Sequence, residues 1–379
     1  MQCPRCLNTD SRYFYKGSRG WYCRRCISFG RIMLEEEKEP VSLSPVSKGS
    51  EEYTLQYPLT GAQAEIAVKC ASLIGYKDVL LHCVCGAGKT ELVVLSIAKM
   101  LKEGKKVCFA IPRRQVVLEL RERLAQYFPH AVVIAVCGGH TSVTDGDLII
   151  CTTHQLYRYW HAFDLLILDE PDAFPFRGNA VLHGIAKTAC TGHTVYLTAT
   201  PDERLMSRVR KGTLERLVLN ERPHGHPLPV PIVKRGSELI LWISMLGWIR
   251  RNKDHPRIIF VPTIRQAEWF GRVLRPFFGC YVCTSKTENR DDVIEAYRNQ
   301  PAGIIIATTV LERGVTIKGA DVCIYHADHG VFDEAGLVQM AGRAGRSFER
   351  PTGEVLFLLS EKSRTVDRCV REIREANKR

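Results

Sequence analysis

From Leu59 onward, short apolar runs alternate with longer stretches in which apolar residues recur at helical spacing. The runs fall at 79–83, 106–111, 131–136, 147–151, 165–168 and 194–198, and again at 257–261, 280–283, 303–307, 322–325 and 354–358. Apolar runs separated by helix-length segments are the pattern of parallel strands joined by right-handed crossovers. In sheets of that kind ligands collect beyond the C-terminal ends of the strands. Between 223 and 231 the alternation is interrupted by four prolines, which no helix or strand accommodates. The pattern therefore predicts two α/β domains, 58–222 and 237–379, joined by a stiff hinge at 223–236.

The residues at the strand ends carry the chemistry. The first run leads into Cys83-Val84-Cys85-Gly86-Ala87-Gly88-Lys89-Thr90, and a helical stretch follows. Strand, glycine loop and helix is the setting of a phosphate-binding loop. Gly86, Ala87 and Gly88 let backbone N–H groups converge on a triphosphate, and the Lys89 ammonium reaches the outer phosphates. The Thr90 hydroxyl takes a place on Mg²⁺. Cys83 stands where the usual loop motif begins with glycine. The run 165–168 ends in Asp169-Glu170-Pro171-Asp172. Asp169 is placed to hold Mg²⁺, and Glu170 to orient and deprotonate an attacking water.

The N-terminal residues have a different character. Cys3-x2-Cys6 and Cys23-x2-Cys26 have the spacing of a four-thiolate zinc site, since each pair presents two sulfurs to one side of a metal. Residues 1–34 hold seven Lys/Arg against a single acid, Asp10, interleaved with six aromatic residues. That mixture suits a single nucleic-acid strand, with phosphates on the charges and bases on the rings. A head this small also needs aromatics for its own core, so docking or a purely structural role stands beside nucleic-acid contact. Residues 35–57, rich in charge with Ser and Pro, read as a linker. The remaining cysteines of the fifteen stand mostly alone in apolar runs and read as small core residues, as do Cys280 and Cys283. His224 and His226 read as solvated hinge residues.

The formal net charge of +12 favours a polyanionic partner. The start of the chain carries no basic-then-apolar leader. The most apolar run, 239–249, is too short to span a bilayer and reads as a buried helix. The expected location is the cytoplasm, with a peripheral place at the inner face of the membrane left open.

Taken together, the phosphate loop, the Asp-Glu-x-Asp box and Thr198-Ala199-Thr200 resemble motifs I, II and III of superfamily-2 helicases and translocases. The resemblance implies two RecA-like parallel-sheet domains preceded by a four-Cys zinc module, and ATP as the nucleotide. It implies that Thr198 and Thr200 couple hydrolysis to domain movement and that Gln63 reads the adenine edge. Arg113 and Thr153 fall in segments similar to strand-gripping motifs of the first half. Thr308 and Thr309 open a segment, 307–317, similar to motif V of the second half. Gln339-Met340-Ala341-Gly342-Arg343-Ala344-Gly345-Arg346 matches Q-x-x-G-R-x-G-R, whose arginines reach the phosphates as arginine fingers. Gln339 joins them among the nucleotide-binding residues. With the four-Cys head and Val331-Phe332-Asp333-Glu334-Ala335, the chain resembles ComFA, the late-competence ATPases that translocate incoming single-stranded DNA in Gram-positive bacteria. That implies single-stranded DNA, a membrane DNA-uptake channel and other competence proteins as partners. Oligomeric state stays open. Primosomal replication-restart helicases are a nearby rival, but they carry zinc cysteines in the C-terminal half. An RNA remodeller and a nucleotide-switched adaptor are further alternatives, because motor motifs mostly hold phosphates.

Overall fold

The computed structural model describes all residues other than 37, 312–316, 348 and 379, and omits the side chain of residue 291. Contacts divide the chain into two compact units, Met1–Cys83 with Gly88–Leu219, and Val84–Ala87 with Asn220–Arg379.

The first unit begins with a hairpin, β1 (Phe14–Gly17) against β2 (Gly20–Cys23), whose turn closes at Gly20 with φ +111°. This head is mounted on the main domain. The backbone of Cys6 lies so close to a helix that a Cβ on Gly184 would meet the Cys6 carbonyl oxygen at 2.0 Å. Thr188 Oγ1 donates to the Arg5 carbonyl at 2.9 Å, and Trp160 Nε1 to the Pro4 carbonyl at 3.0 Å. Alanine at 184 should therefore push the head off its seat, costing about 1–3 kcal/mol. The check is earlier proteolytic release of residues 1–34 and a lower melting temperature; an unchanged pattern would argue against this seating. The segment read as a linker is laid along the same unit. Ser44 N and Oγ donate to Asp145, Ser47 N to Asp147, and Thr54 N to the Tyr127 carbonyl.

The main domain runs α1 (Gly61–Leu73), β3 (Val79–Cys83), α2 (Lys89–Leu92), α3 (Val94–Lys102), β4 (Val107–Ile111), α4 (Arg114–Tyr127), β5 (Val133–Val136), β6 (Leu148–Thr152), β7 (Phe163–Asp169), α5 (Ala180–Ala189), β8 (Cys190–Thr198), α6 (Glu203–Arg210) and β9 (Glu215–Leu219). Its seven strands are parallel in the order β5-β6-β4-β7-β8-β3-β9. Strands β4 and β6 are buried along their whole length, as continuous apolar runs in a sheet covered on both faces should be. The order makes β7, β8 and β3 neighbours, so Asp169, Thr198 and the glycine loop emerge side by side.

The second unit runs β10 (Ile232–Arg235), α7 (Glu238–Arg251), β11 (Arg257–Phe260), α8 (Ile264–Leu274), β12 (Cys280–Cys283), α9 (Arg290–Arg298), β13 (Ile304–Ala307), β14 (Asp321–Tyr325), α10 (Glu334–Ala341), β15 (Val355–Leu359) and α11 (Arg364–Ala376). Its strands are parallel in the order β10-β15-β14-β11-β13-β12. Strand β10 lies within the span read as a hinge. Beyond Pro231 the backbone N–H groups return, and Ile232–Arg235 pairs with β15.

The apolar run 239–249 departs from the buried helix expected of it. It is a helix, α7, but it is not buried. The sheet covers only the face bearing Leu241, Met245, Trp248 and Ile249, while Leu239, Ile240 and Ile243 are exposed. Among the described residues no helix is long and apolar enough to cross a membrane.

Candidate nucleotide site and four-cysteine centre

The loop after β3 turns through two left-handed glycines, Gly86 at φ +84° and Gly88 at φ +76°, a conformation L side chains rarely adopt. Gly88 is also the N-cap of α2, so Lys89 and Thr90 open a helix. Cys83 ends β3 fully buried and is not among the residues of positive φ, so a side chain is accommodated where the usual motif has glycine. Burial pushes its thiol up to about 12, which keeps it neutral beside the site. Gln63 sits beside the loop: its Oε1 accepts from Thr60 N at 2.9 Å in a capping box. A Cβ on Gly88 would come within 2.7 Å of its Nε2.

One strand pair away, β7 delivers the acids. Burial pushes the Asp169 carboxyl up to about 7, the neighbouring Glu170 carboxylate adds to this, and Lys89 opposes it. Asp169 Oδ1 is buried without a hydrogen-bond partner. An orphaned carboxylate oxygen next to Lys89, with a threonine hydroxyl on the adjacent helix, is the all-oxygen donor set that Mg²⁺ takes. Glu170 has φ +51°, a left-handed backbone costing about 1–3 kcal/mol for a residue other than glycine. Its N–H donates to the Leu197 carbonyl of β8 at 2.9 Å, which pins the strained turn to the next strand.

Asp172, whose role the sequence did not reveal, is the hub between the two strand ends. Thr198 Oγ1 donates to Asp172 Oδ1 at 2.5 Å and Thr200 Oγ1 to Oδ2 at 2.8 Å. The Thr200 N–H returns to Thr198 Oγ1 at 2.9 Å. Asp172 and Thr198 are both buried. One carboxylate thus joins the end of β7 to the end of β8 through a network of charge-assisted bonds.

In the second unit, Gln339 lies on α10, and Arg343 and Arg346 on the turn that follows. Gln339 and Arg343 are buried. Arg346 Nε donates to the Gly342 carbonyl at 2.8 Å. The turn is fastened by Arg222, the last residue of the span read as the first domain. Its guanidinium donates to the carbonyls of Gly342, Ala344 and Gly345 at 3.0–3.2 Å. Burial pulls this guanidinium down to about 10, with Arg346 adding to the effect.

Arg113 caps α4 after β4, and Thr153 opens the 3₁₀ turn Thr153–Arg158 after β6. Thr153 is buried, its hydroxyl without a partner. Thr308 and Thr309 follow β13, Thr309 opening the 3₁₀ turn Thr309–Leu311. Residues 312–316 of that segment lie outside the described residues.

In the head, Cys3, Cys6, Cys23 and Cys26 are all buried and their sulfurs lie within 4.8 Å of one another. Cys3 Sγ and Cys26 Sγ are 3.7 Å apart, Cys6 Sγ and Cys23 Sγ 3.8 Å. Four thiolates about 2.3 Å from a tetrahedral zinc ion would be about 3.8 Å apart, so the spacing fits that ion. Hydrogen bonds from Cys26 and Cys6 lower the Cys3 thiol, favouring a thiolate there. Three of the head's tyrosine rings carry its own arginines: Arg24 on Tyr15, Arg25 on Tyr13 and Arg31 on Tyr22, at 4.7–5.8 Å. Phe29 packs against His154 and Tyr157 of the 3₁₀ turn, with ring centroids at 6.1 and 5.3 Å.

Comparison with known proteins adds the following. Residues 56–203 match the family described as type III restriction enzyme, res subunit, and residues 238–348 the helicase conserved C-terminal domain. The competence protein ComFA of Streptococcus pneumoniae is 33% identical, over 99% of this chain and 90% of its own. The competence protein ComFA of Bacillus subtilis is 32% identical, over 99% of this chain and 85% of its own. Among solved structures, S. cerevisiae Dbp5 bound to RNA and ADP BeF3 is similar in fold, with a TM-score of 0.63 and 15% identity over 84% of this chain and 91% of that one.

Proposed function

The chain belongs to the ComFA family of competence proteins, and on that footing we propose that it is an ATP-driven translocase of single-stranded DNA that draws incoming strands inward during transformation. It is a superfamily-2 helicase ATPase, built to bind ATP and nucleic acid. The single observation that carries the translocase reading is the Asp172 bridge, which ties the acidic turn after β7 to Thr198 and Thr200. Turnover rather than a static switch is favoured by the presence of Glu170, Arg343 and Arg346 together.

In the proposed cycle the triphosphate lies along the glycine loop with Lys89 on its outer phosphates. Thr90 and Asp169 hold Mg²⁺, which neutralises phosphate charge. Glu170 orients a water and accepts its proton as the water oxygen attacks the γ-phosphorus. The bond from that phosphorus to the bridging oxygen breaks, leaving ADP and phosphate. Arg343 and Arg346 stabilise the developing charge; the support for them is the motif itself and the way Arg222 fixes their turn. Strain held at Glu170 is released or restored as the phosphate leaves, and Asp172 passes the change to Thr198 and Thr200. The strand is held by Arg113, Thr153, Thr308 and Thr309. Zinc on the four cysteines keeps the head folded, and a membrane DNA-uptake channel with other competence proteins receives or supplies the strand at the cytoplasmic face.

The test is the steady-state ATPase rate with no polymer, single-stranded DNA, duplex DNA and single-stranded RNA, at one fixed salt because phosphate contacts are strongly screened. Stimulation of at least several-fold by single-stranded DNA alone is expected. Equal stimulation by RNA would replace the DNA translocase with a general remodeller, and none by any polymer would leave an adaptor.

A further inference from the structure

Helix α7 is apolar on every side, and a helix of that kind is ordinarily buried. The sheet takes one face of it. On the opposite face Leu239 is 68% exposed, Ile240 51% and Ile243 61%. Leu239, Trp242, Ile243 and Leu246 follow the i, i+3, i+4, i+7 spacing of a stripe that a further helix would cover. The stripe does not stop at α7. Trp242 meets Trp269 of α8 edge to face, with ring centroids at 5.0 Å, and the surface continues to Val273. Exposed apolar residues gathered on two helices in contact point to an interaction site.

The rim is basic. Arg250 at the end of α7, Arg265 and Arg272 on α8, and Arg275 just beyond it are all exposed. None has a carboxylate within ion-pair distance among the described residues. The acid at the start of α7, Glu238, is engaged by His326 and by the Tyr325 hydroxyl. On the outer face of α8, Glu268 is the lone carboxylate. Tryptophan and arginine around an aliphatic centre is the composition of an energetically dominant contact. Unpaired arginines on both sides would repel in a two-fold contact between copies of this chain, whereas carboxylates on a partner would pair with them.

We propose that the seam between α7 and α8 docks an acidic amphipathic helix of a partner protein, its apolar side on Ile243 and Trp269 and its carboxylates on Arg265 and Arg272. None of these residues belongs to the nucleotide site, so the proposal stands apart from the translocase reading.

The test places the photo-reactive residue p-benzoylphenylalanine at Ile243 of the full chain in cells that make it, and maps the cross-linked peptide by mass spectrometry. Expected is an adduct to another protein, at a helix-forming segment with more Asp and Glu than Lys and Arg. Charge reversal in Arg272→Glu should reduce its yield about ten-fold or more. An adduct to this chain's own peptides, one to lipid, one to a segment without acidic excess, or no adduct overturns the proposal. So does co-sedimentation of the purified chain with phosphatidylglycerol vesicles that Ile243→Glu abolishes. The basal ATPase rate of Ile243→Glu should equal that of the parent chain, and a lower rate with unchanged melting temperature would tie the seam to the motor instead.

Discussion

Glutamine in place of Glu170 should leave ATP binding intact and lower kcat by about 10²–10⁴-fold, the range expected when a positioned general base is lost. The amide keeps the shape of the side chain and can still orient a water, but it cannot take the proton. The left-handed turn at Glu170 is fixed by backbone, through the bond from its N–H to Leu197, and that bond is untouched. Melting temperature and KM for ATP should therefore stay near those of the parent chain while turnover collapses. Pre-steady-state kinetics with a phosphate sensor would show the chemical step itself slowed. If Glu170→Gln hydrolysed ATP at an undiminished rate, the base would have to be another residue, and Asp172 would be the first to examine.

Serine in place of Cys26 should empty the head of metal and loosen much more than the head. Zinc binding to four thiolates contributes folding free energy on the order of 10 kcal/mol, and a hydroxyl is a poor replacement for a thiolate. Metal content measured by plasma emission should fall from about one ion per chain toward zero. Because the Cys6 knuckle sits directly on α5 and Arg5 accepts from Thr188, an unfolded head exposes part of the main domain. The melting temperature should drop by several degrees, and chelation of the parent chain should reproduce the drop. Cys280→Ser, on β12 and outside the four-cysteine group, should keep its metal. A parent chain that purifies without zinc under non-chelating conditions would remove the basis for this expectation.

The parts of the fold legible in sequence were those written in neighbouring residues. A glycine loop needs left-handed φ at two positions, and Gly86 and Gly88 announce it locally. Buried parallel strands announce themselves as apolar runs, and each of the eleven read that way is a strand of one sheet or the other. The pairs Cys3/Cys6 and Cys23/Cys26 carry their spacing with them, and the four sulfurs do converge. What stayed hidden depends on distant partners. Asp172 is one more acid in an acidic box until Thr198 and Thr200 are seen on its two oxygens. Arg222 goes unmarked at the end of the first domain's span because the carbonyls it holds lie some 120 residues on. Strand β9 is half-buried and mixed in composition, so no periodicity marked it. Helix α7 was misjudged because a sequence shows how apolar a face is, not whether anything covers it.

The notch at Gly184 bears on how the molecule can be taken apart. A head held by a flexible tether could be cut away and the remainder studied as a motor. Here the first cysteine knuckle fills a space in α5 that no side chain of the helix occupies, and Trp160 and Thr188 give their hydrogen bonds to it. A shortened chain starting near residue 57 would keep every motor motif yet carry a gap in its wall, two donors turned from protein to water and a bared apolar surface around Val181. Its lowered activity would report damage to the wall rather than the contribution of the head. Point substitutions on the outer tyrosines and arginines, which leave the seat filled, are the cleaner instrument.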